Sequence, residues 1–320
     1  MKFPRILASL FLIALSCSVA FAQITADLRG RTLDASDASI PGAHVDLTAI
    51  ATGVHQQTVT SASGDFLFTN LNPGKYSVDV TATGFQHLQR TGITVILGQT
   101  VSVDLTLSAG GDQQTITVSS DLPLLEAATS NIQTNIPGTT VVAIPLNSRN
   151  FIQLSTLAPG VELPPGTVLP RINGGRPRTN EYLYDGISAL QPEPGQVAFF
   201  PIPDDIEEFT VEADNVPAEF GRFNGGVVNV ATRSGTDTVH GSLYEFFRNE
   251  DLNARNYFAA GSPARKPEYR RNLYGATLGA PILHNRLFFF GDYQGIKANI
   301  GRTVISTIPT MNQRQGIFTN

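Results

Sequence analysis

From Val101 to Ser108 the chain alternates without a break: Val101, Val103, Leu105 and Leu107 take every second position, and Ser102, Asp104, Thr106 and Ser108 fill the gaps. Successive side chains of a strand point to opposite sides, so this period sets one buried face against one wet face and argues against a helix. The same period recurs upstream. Val45 and Leu47 alternate with His44 and Asp46, Phe66 and Phe68 share a face after Gly64-Asp65, and Tyr76, Val78 and Val80 follow the turn signal Asn72-Pro73-Gly74. Short alternating runs closed by turn residues predict a small β-sandwich over residues 23–109.

The segment before it is of another kind. Lys2 and Arg5 give a positive start, Ile6 to Val19 is apolar, and Ala20-Phe21-Ala22 forms a small-x-small cleavage site. An apolar run of about 14 residues is short of the ~20 needed to cross a bilayer, so residues 1–22 read as a secretory leader removed near Ala22. The one cysteine, Cys17, lies inside it, and the mature chain would then hold neither disulfides nor cysteine-ligated metals. No later apolar run reaches helix-spanning length. A mature chain that enters a membrane therefore does so with strands, which points to the outer membrane of a double-membraned bacterium. With a net charge of -5 and only 15% charged residues, the chain lacks the basic footprint of a nucleic-acid binder.

Beyond the sandwich, Gly110-Gly111 opens a linker over 110–121 whose stretch Thr115-Ile116-Thr117-Val118-Ser119 is β-prone and is expected to be mobile. The pattern then changes to mixed elements over 122–235. Asn147-Ser148-Arg149-Asn150 is placed to cap a short helix through Phe151, Leu154 and Leu157, which Pro159-Gly160 stops. Strands are expected at Glu181–Tyr184, closed by Asp185-Gly186, at Glu208–Glu212 after a short acidic helix over Pro203–Glu207, and at Gly226–Thr232. A small α/β domain is implied.

The phrases Ile40-Pro41-Gly42-Ala43, Gly64-Asp65-Phe66-Leu67-Phe68, Leu71-Asn72-Pro73-Gly74-Lys75-Tyr76 and Gly84-Phe85 resemble the carboxypeptidase regulatory-like domain, an accessory without catalytic groups. Further on, Arg171-Ile172-Asn173-Gly174-Gly175-Arg176-Pro177, Tyr184-Asp185-Gly186, Ile206-Glu207-Glu208-Phe209, Ala218-Glu219-Phe220-Gly221-Arg222 and Gly225 to Gly235 resemble the plug of TonB-dependent outer-membrane receptors. The pairing of such a sandwich with such a plug resembles the Oar-like receptors. That resemblance implies energised import of a bulky nutrient (a glycan, peptide or chelate), with the sandwich in the periplasm and the plug displaced by the energy-transducing protein TonB.

Under the same resemblance, Thr115, Ile116, Thr117, Val118 and Ser119 are the candidate TonB-interaction segment, since an extended peptide added to a sheet edge needs no strict side-chain identity. The alternative for these residues is a plain edge strand of the sandwich. Arg171, Arg176, Arg178 and Arg222 are candidates for pairing with acidic groups of a barrel lumen, or are simply solvated. Gly174, Gly175, Gly225 and Gly226 either serve turns or let loops approach a barrel wall closely.

The final segment, 236–320, carries aromatic-rich strands: Gly241 to Arg248, Arg271 to Ala280, and Leu287 to Tyr293 after a turn through Pro281 to Arg286. In the second, Tyr274, Ala276, Leu278 and Ala280 would face lipid and Gly275, Thr277 and Gly279 the lumen. Phe247-Arg248-Asn249-Glu250 and Phe289-Phe290-Gly291-Asp292-Tyr293 resemble opening barrel strands of the same receptors. Four to six strands are expected, fewer than the ~8 of the smallest closed bacterial barrels, so the chain reads as the N-terminal part of a longer receptor.

The expected fold is thus mainly β: a sandwich, a small α/β plug and the first strands of a transmembrane barrel. No catalytic, cofactor or metal residues are assigned. His44, His55 and His87 lack a metal-binding spacing, the acidic run Asp204, Asp205, Glu207 and Glu208 suits a helix first turn better than a facing carboxylate pair, and no nucleophile elbow, zinc motif or phosphate loop occurs. The rival reading is an outer-membrane or secreted carbohydrate- or peptide-binding adhesion protein without transport.

Overall fold

The computed structural model describes residues 26–110, 115–119, 132–146, 148–191, 195–216, 220, 223–254, 266–301 and 307–318. The leader assigned to residues 1–22 lies outside them. By packing, the chain divides into two units: residues up to His240 together with Leu278–Phe290, and Gly241–Thr277 together with Gly291–Asn320. Strands dominate both.

The sandwich opens the first unit. One sheet joins β1 (Ala26–Asp34), β4 (Asp65–Leu71), β7 (Thr100–Ser102) and β8 (Leu105–Leu107); the other orders β3 (His55–Val59), β2 (His44–Ala49), β5 (Gly74–Thr81), β6 (His87–Val95) and β9 (Thr115–Ser119) as β3-β2-β5-β6-β9. The alternating run divides between β7 and β8, which pair in parallel with successive parts of β1. Its inward residues Val101, Val103, Leu105 and Leu107 are all buried, in one cluster with Leu28, Val45, Leu47, Phe66, Phe68, Val78 and Val80. Burying each such side chain contributes roughly 1.5–3 kcal/mol. Where the run breaks, the Val103 carbonyl oxygen packs so close to β1 that a Cβ on Gly30 would lie 1.9 Å from it, so only a glycine fits at that position.

The second domain of the same unit is a five-stranded mixed sheet, ordered β10-β15-β16-β13-β14. Its strands are β10 (Ile132–Pro137), β13 (Glu181–Tyr184), β14 (Ile187–Ser188), β15 (Ile206–Asp214) and β16 (Val227–Thr232), with the small pair β11 (Val161–Glu162) and β12 (Arg171–Ile172) beside it. Helix α1 (Gly138–Ala143) and a 3-10 helix over Phe151–Leu157 cover one face. The expected cap is present, since the Asn150 side chain accepts from the Ile152 amide at 3.1 Å, although the helix winds as 3-10. The acidic helix shortens to a 3-10 turn over Pro203–Asp205. Strand β10 and α1 had no clear sequence signal.

On the covered face Phe151, Ile152, Tyr182, Phe209, Val211, Val228 and Val230 form a second core. Phe151 meets Phe209 edge-on at 5.2 Å between ring centres, the offset geometry aromatic pairs favour. Strand β13 enters β14 through a two-residue turn with φ of 48° at Asp185 and 81° at Gly186, both in the left-handed region a type I′ hairpin requires. The Asp185 carboxylate then accepts from the amide and hydroxyl of Thr232 at 2.9 and 2.7 Å, tying the turn to the end of β16.

Three long strands follow: β17 (His240–Asn249), β18 (Tyr269–Leu283) and β19 (Leu287–Ile300), ordered β17-β18-β19, then a short helix α2 (Met311–Arg314). They enclose the three expected runs and extend each of them. Four to six strands were expected in this segment; the described residues hold these three. Along β18, Thr277 and Gly279 of the expected inner face are buried and Tyr274 and Leu278 of the expected outer face are exposed, whereas Gly275, Ala276 and Ala280 are intermediate. Aromatic rings lie across glycines of the neighbouring strand: a Cβ on Gly275 would strike the Tyr244 hydroxyl at 2.3 Å, and one on Gly295 the Tyr274 ring at 2.5 Å. Glycine under an aromatic is a device of curved sheets. Among the described residues no helix is long and apolar enough to cross a membrane.

Candidate functional site

The linker segment is not free. Thr115–Ser119 forms the edge strand β9, paired in parallel with β6: His87 opposite Thr115, Leu88 opposite Ile116, Gln89 opposite Thr117, Arg90 opposite Val118 and Thr91 opposite Ser119. This corrects the expectation of mobility, and the reason is where the chain leaves the sandwich. Ala109 bridges Phe85, the Gln86 amide donates to the Ser108 carbonyl at 2.9 Å, and the Gly110 amide donates to the Gly84 carbonyl at 3.2 Å. The exit is therefore pinned beside the start of β6, whose outer edge offers unpaired backbone groups for the next extended stretch.

Of the arginines and glycines chosen from sequence, Arg171, Arg176, Arg178, Gly174, Gly175, Gly225 and Gly226 are described. Arg171 is on β12, Arg176 and Arg178 are in the loop before β13, and all three are exposed. Arg222 falls outside the described residues. Gly174 turns with φ of 74° in open surroundings, whereas a Cβ on Gly226 would lie 2.5 Å from the Glu212 carbonyl oxygen and one on Gly225 2.1 Å from the Asn180 Oδ1. Gly174 thus serves a turn, and Gly225 and Gly226 serve close packing within the domain. Gly175 donates its amide to the Ile172 carbonyl at 2.9 Å, in the same turn.

The acidic run is dispersed by the fold. Asp204 forms a buried ion pair with Arg149, whose own φ is 52°. Glu207 is exposed and 3.8 Å from the Arg233 guanidinium. Glu208 turns the opposite way, onto the face of the sheet away from the helices, where Thr210, Glu212 and Asn229 are also buried. There the Leu97 amide, from the loop between β6 and β7 of the sandwich, donates to Glu208 Oε1 at 2.5 Å, and Asn135 Nδ2 reaches Oε2 at 3.4 Å. Burial pushes the Glu208 carboxyl up to about 7, against the lowering effect of those two donors and with a small further push from Glu207. These carboxylates meet structural partners, not one another.

This polar face is where sequence reading missed most. Thr210 Oγ1 and both amide atoms of Asn229 are buried without a protein partner, an arrangement costly to keep dry and suited to water. A cleft of about 790 Å³ adjoins it, bordered by Lys75 at the start of β5 and by Asp185, Glu207, Arg233, His240 and Arg286. Among the described residues no three His, Cys, Asp or Glu side chains are grouped to hold a metal ion. His87 instead faces Asp79 at 3.2 Å.

Residues 27–108 match the carboxypeptidase regulatory-like domain and residues 231–320 an outer membrane beta barrel domain. Over 290 residues the sequence is 28% identical to the TonB-dependent transporter Oar of Myxococcus xanthus, a match that takes in 86% of this chain and 27% of that relative's length. Among solved structures, the siderophore receptor PirA from Acinetobacter baumannii aligns with a TM-score of 0.40 and 19% identity, over 51% of this chain and 24% of its own. The outer membrane transporter YddB from Escherichia coli gives 0.39 and 21%, over 48% and 24%.

Proposed function

We propose that this chain, similar in sequence to the TonB-dependent transporter Oar and carrying a carboxypeptidase regulatory-like sandwich ahead of outer-membrane barrel strands, works in a TonB-dependent outer-membrane receptor. Its task is the energised import of a bulky nutrient such as a glycan, peptide or chelate. Within that reading the leader is cleaved near Ala22, the sandwich sits in the periplasm, and residues 122–235 are the plug of a barrel whose wall begins at His240. The work is mechanical: ligand binds outside, the transducing protein engages Thr115–Ser119, and pulling on the linker remodels the plug. No step requires a nucleophile or a bound cofactor.

The observation that carries this reading is the order of parts. A sandwich and a small mixed sheet are followed directly by three long strands that bury Thr277 and Gly279 while exposing Tyr274, Leu278, Phe289 and Tyr293, and the outer membrane beta barrel match covers these same strands. Apolar and aromatic side chains turned outward from a sheet suit lipid. Exposed Arg171, Arg176 and Arg178 then become plug groups available to acidic residues of the lumen, where partial loss of water strengthens ion pairs.

The test is uptake in cells that carry the full receptor, with and without the energy-transducing protein, for wild type and for the double variant Ile116→Pro, Val118→Pro. Proline removes the backbone donors that strand addition needs. The expected result is transducer-dependent uptake in wild type, and loss of both uptake and crosslinking to the transducer in the variant. Ligand binding with no uptake in either strain would support the adhesion reading.

A further inference from the structure

We infer that the receptor holds an anionic phospholipid at the periplasmic rim of its barrel, with the lipid phosphate between Lys75 of the sandwich and Arg286 of the hairpin joining β18 to β19. The inference rests on the transport reading above, which sets this end of the barrel at the periplasmic face of the membrane, and it adds a ligand to that reading.

The site is built where the sandwich meets the first barrel hairpin. The loop between β2 and β3, residues 50–54, seats on that hairpin: the Asp237 amide donates to the Ala51 carbonyl at 3.1 Å, and the Asn285 amide donates to Asp237 Oδ1 at 2.8 Å. Any side chain on Gly53 would collide with Asn285, so the approach is close. On its other flank the Ile50 amide donates to the Lys75 carbonyl at 2.9 Å, which fixes the start of β5 beside the same loop. Lys75 and Arg286 both line the cleft of about 790 Å³ left between these parts. His240, the first residue of β17, lies against Gly279 of β18, so the hairpin turn stands at the end of the sheet where the barrel wall begins.

Charge in the cleft is uneven. The Asp185 carboxylate is taken by the amide and hydroxyl of Thr232, and Glu207 faces Arg233 at 3.8 Å. Lys75 and Arg286 are exposed and have no ion-pair partner among the described residues. Two free cations at one opening suit a phosphate, which Lys holds as a point charge and Arg through paired N–H groups. The borders of the cleft supply the other half of a lipid. Ile50 and Val54 of the seated loop are exposed, as are Leu283 and Leu287 on either side of the hairpin turn. The exposed apolar face continues along the hairpin through Leu278 and Phe289. Cations at the end of an apolar strand face reach headgroups while their neighbours stay in hydrocarbon. A soluble anion leaves that apolar border without a partner, whereas an anionic lipid satisfies both parts.

The test uses the full receptor, stripped of lipid in detergent and titrated with phosphatidylglycerol or phosphatidylcholine, with bound lipid counted by native mass spectrometry. Wild type is expected to bind phosphatidylglycerol in preference to phosphatidylcholine, and inorganic phosphate is expected not to displace it. The double variant Lys75→Gln, Arg286→Gln should bind phosphatidylglycerol about tenfold more weakly or worse, since each cation near an anionic headgroup contributes several-fold. Arg31→Gln, on the other sheet of the sandwich, should leave binding unchanged. Equal binding of the two lipids, or a double variant that binds as wild type does, would overturn the site. Displacement by inorganic phosphate would assign it to a soluble anion and overturn the lipid. A folded receptor that does not enter lipid discs would instead remove the barrel reading itself, and the lipid with it.

Discussion

The backbone amide of Leu97 donates to Glu208 Oε1 at 2.5 Å, joining a sandwich loop to the polar face of the second domain's sheet. Leu97 is 2% exposed and Glu208 8%, so this contact is made out of water. A carboxylate in such a place is stabilised by its donors and penalised by burial, and burial wins, leaving the group near 7 against an ordinary 4.5.

The consequence is a pH dependence of definite sign. The folded state holds a proton on Glu208 that the unfolded chain has released, so stability is fullest below the unfolded value of 4.5 and falls as pH rises through about 7. At 1.36 kcal/mol per unit the loss is on the order of 3 kcal/mol. Hydrogen exchange at the Leu97 amide should therefore be slower at pH 5 than at pH 8 once corrected for intrinsic rates. Glu208→Gln should flatten the profile, and an unchanged profile in that variant would refute the assignment.

The buried pair of Arg149 and Asp204 gives a second expectation. Arg149 lies just ahead of the 3-10 helix that starts at Phe151, and Asp204 lies in the acidic 3-10 turn, so the pair clamps two loops onto one core. Asp204→Ala strands a buried guanidinium and should cost about 3–5 kcal/mol, read by thermal unfolding. A loss below ~1 kcal/mol would mean that the pair is solvated.

Much of the fold was legible because burial imposes a period. The inward residues of the run from Val101 to Leu107 are buried although the run breaks into two strands, the strand Glu181–Tyr184 and its Asp185-Gly186 turn stand where the pattern set them, and β18 keeps Thr277 and Gly279 buried against exposed Tyr274 and Leu278. What stayed hidden depends on partners distant in sequence. Strand β9 looks like a linker until the exit of the sandwich is seen beside β6. Glu208 reads as one more acidic residue until Leu97, 111 positions away, is found above it. Strand β10 has too few apolar residues to announce itself, since only Ile136 of its six positions reaches the core.

The turn at Gly186 is a third point of leverage. With φ of 81° it occupies a region that β-branched residues avoid. Gly186→Val should cost at least ~1 kcal/mol and loosen the Asp185 contacts to Thr232, visible as faster exchange of the Thr232 amide. Protection equal to wild type would show that the turn is not the constraint.

The outward face of β18 can be tested in the membrane. Leu278 is exposed at 50% in this chain and is assigned to lipid. Leu278→Arg should reduce folded receptor in the outer membrane, with a cost of about 2–4 kcal/mol if the site lies near the bilayer midplane, while Leu278→Phe should be tolerated. Equal abundance of the two variants would place this face in water.

A cryo-electron microscopy structure of the full receptor in a lipid disc addresses the central claim most directly. The five-stranded sheet of β10, β13, β14, β15 and β16 should lie inside a closed wall that begins with β17, with Arg171, Arg176 and Arg178 turned to the lumen. A map in which that sheet stays outside the barrel, with the lumen open or filled by other residues, would contradict it.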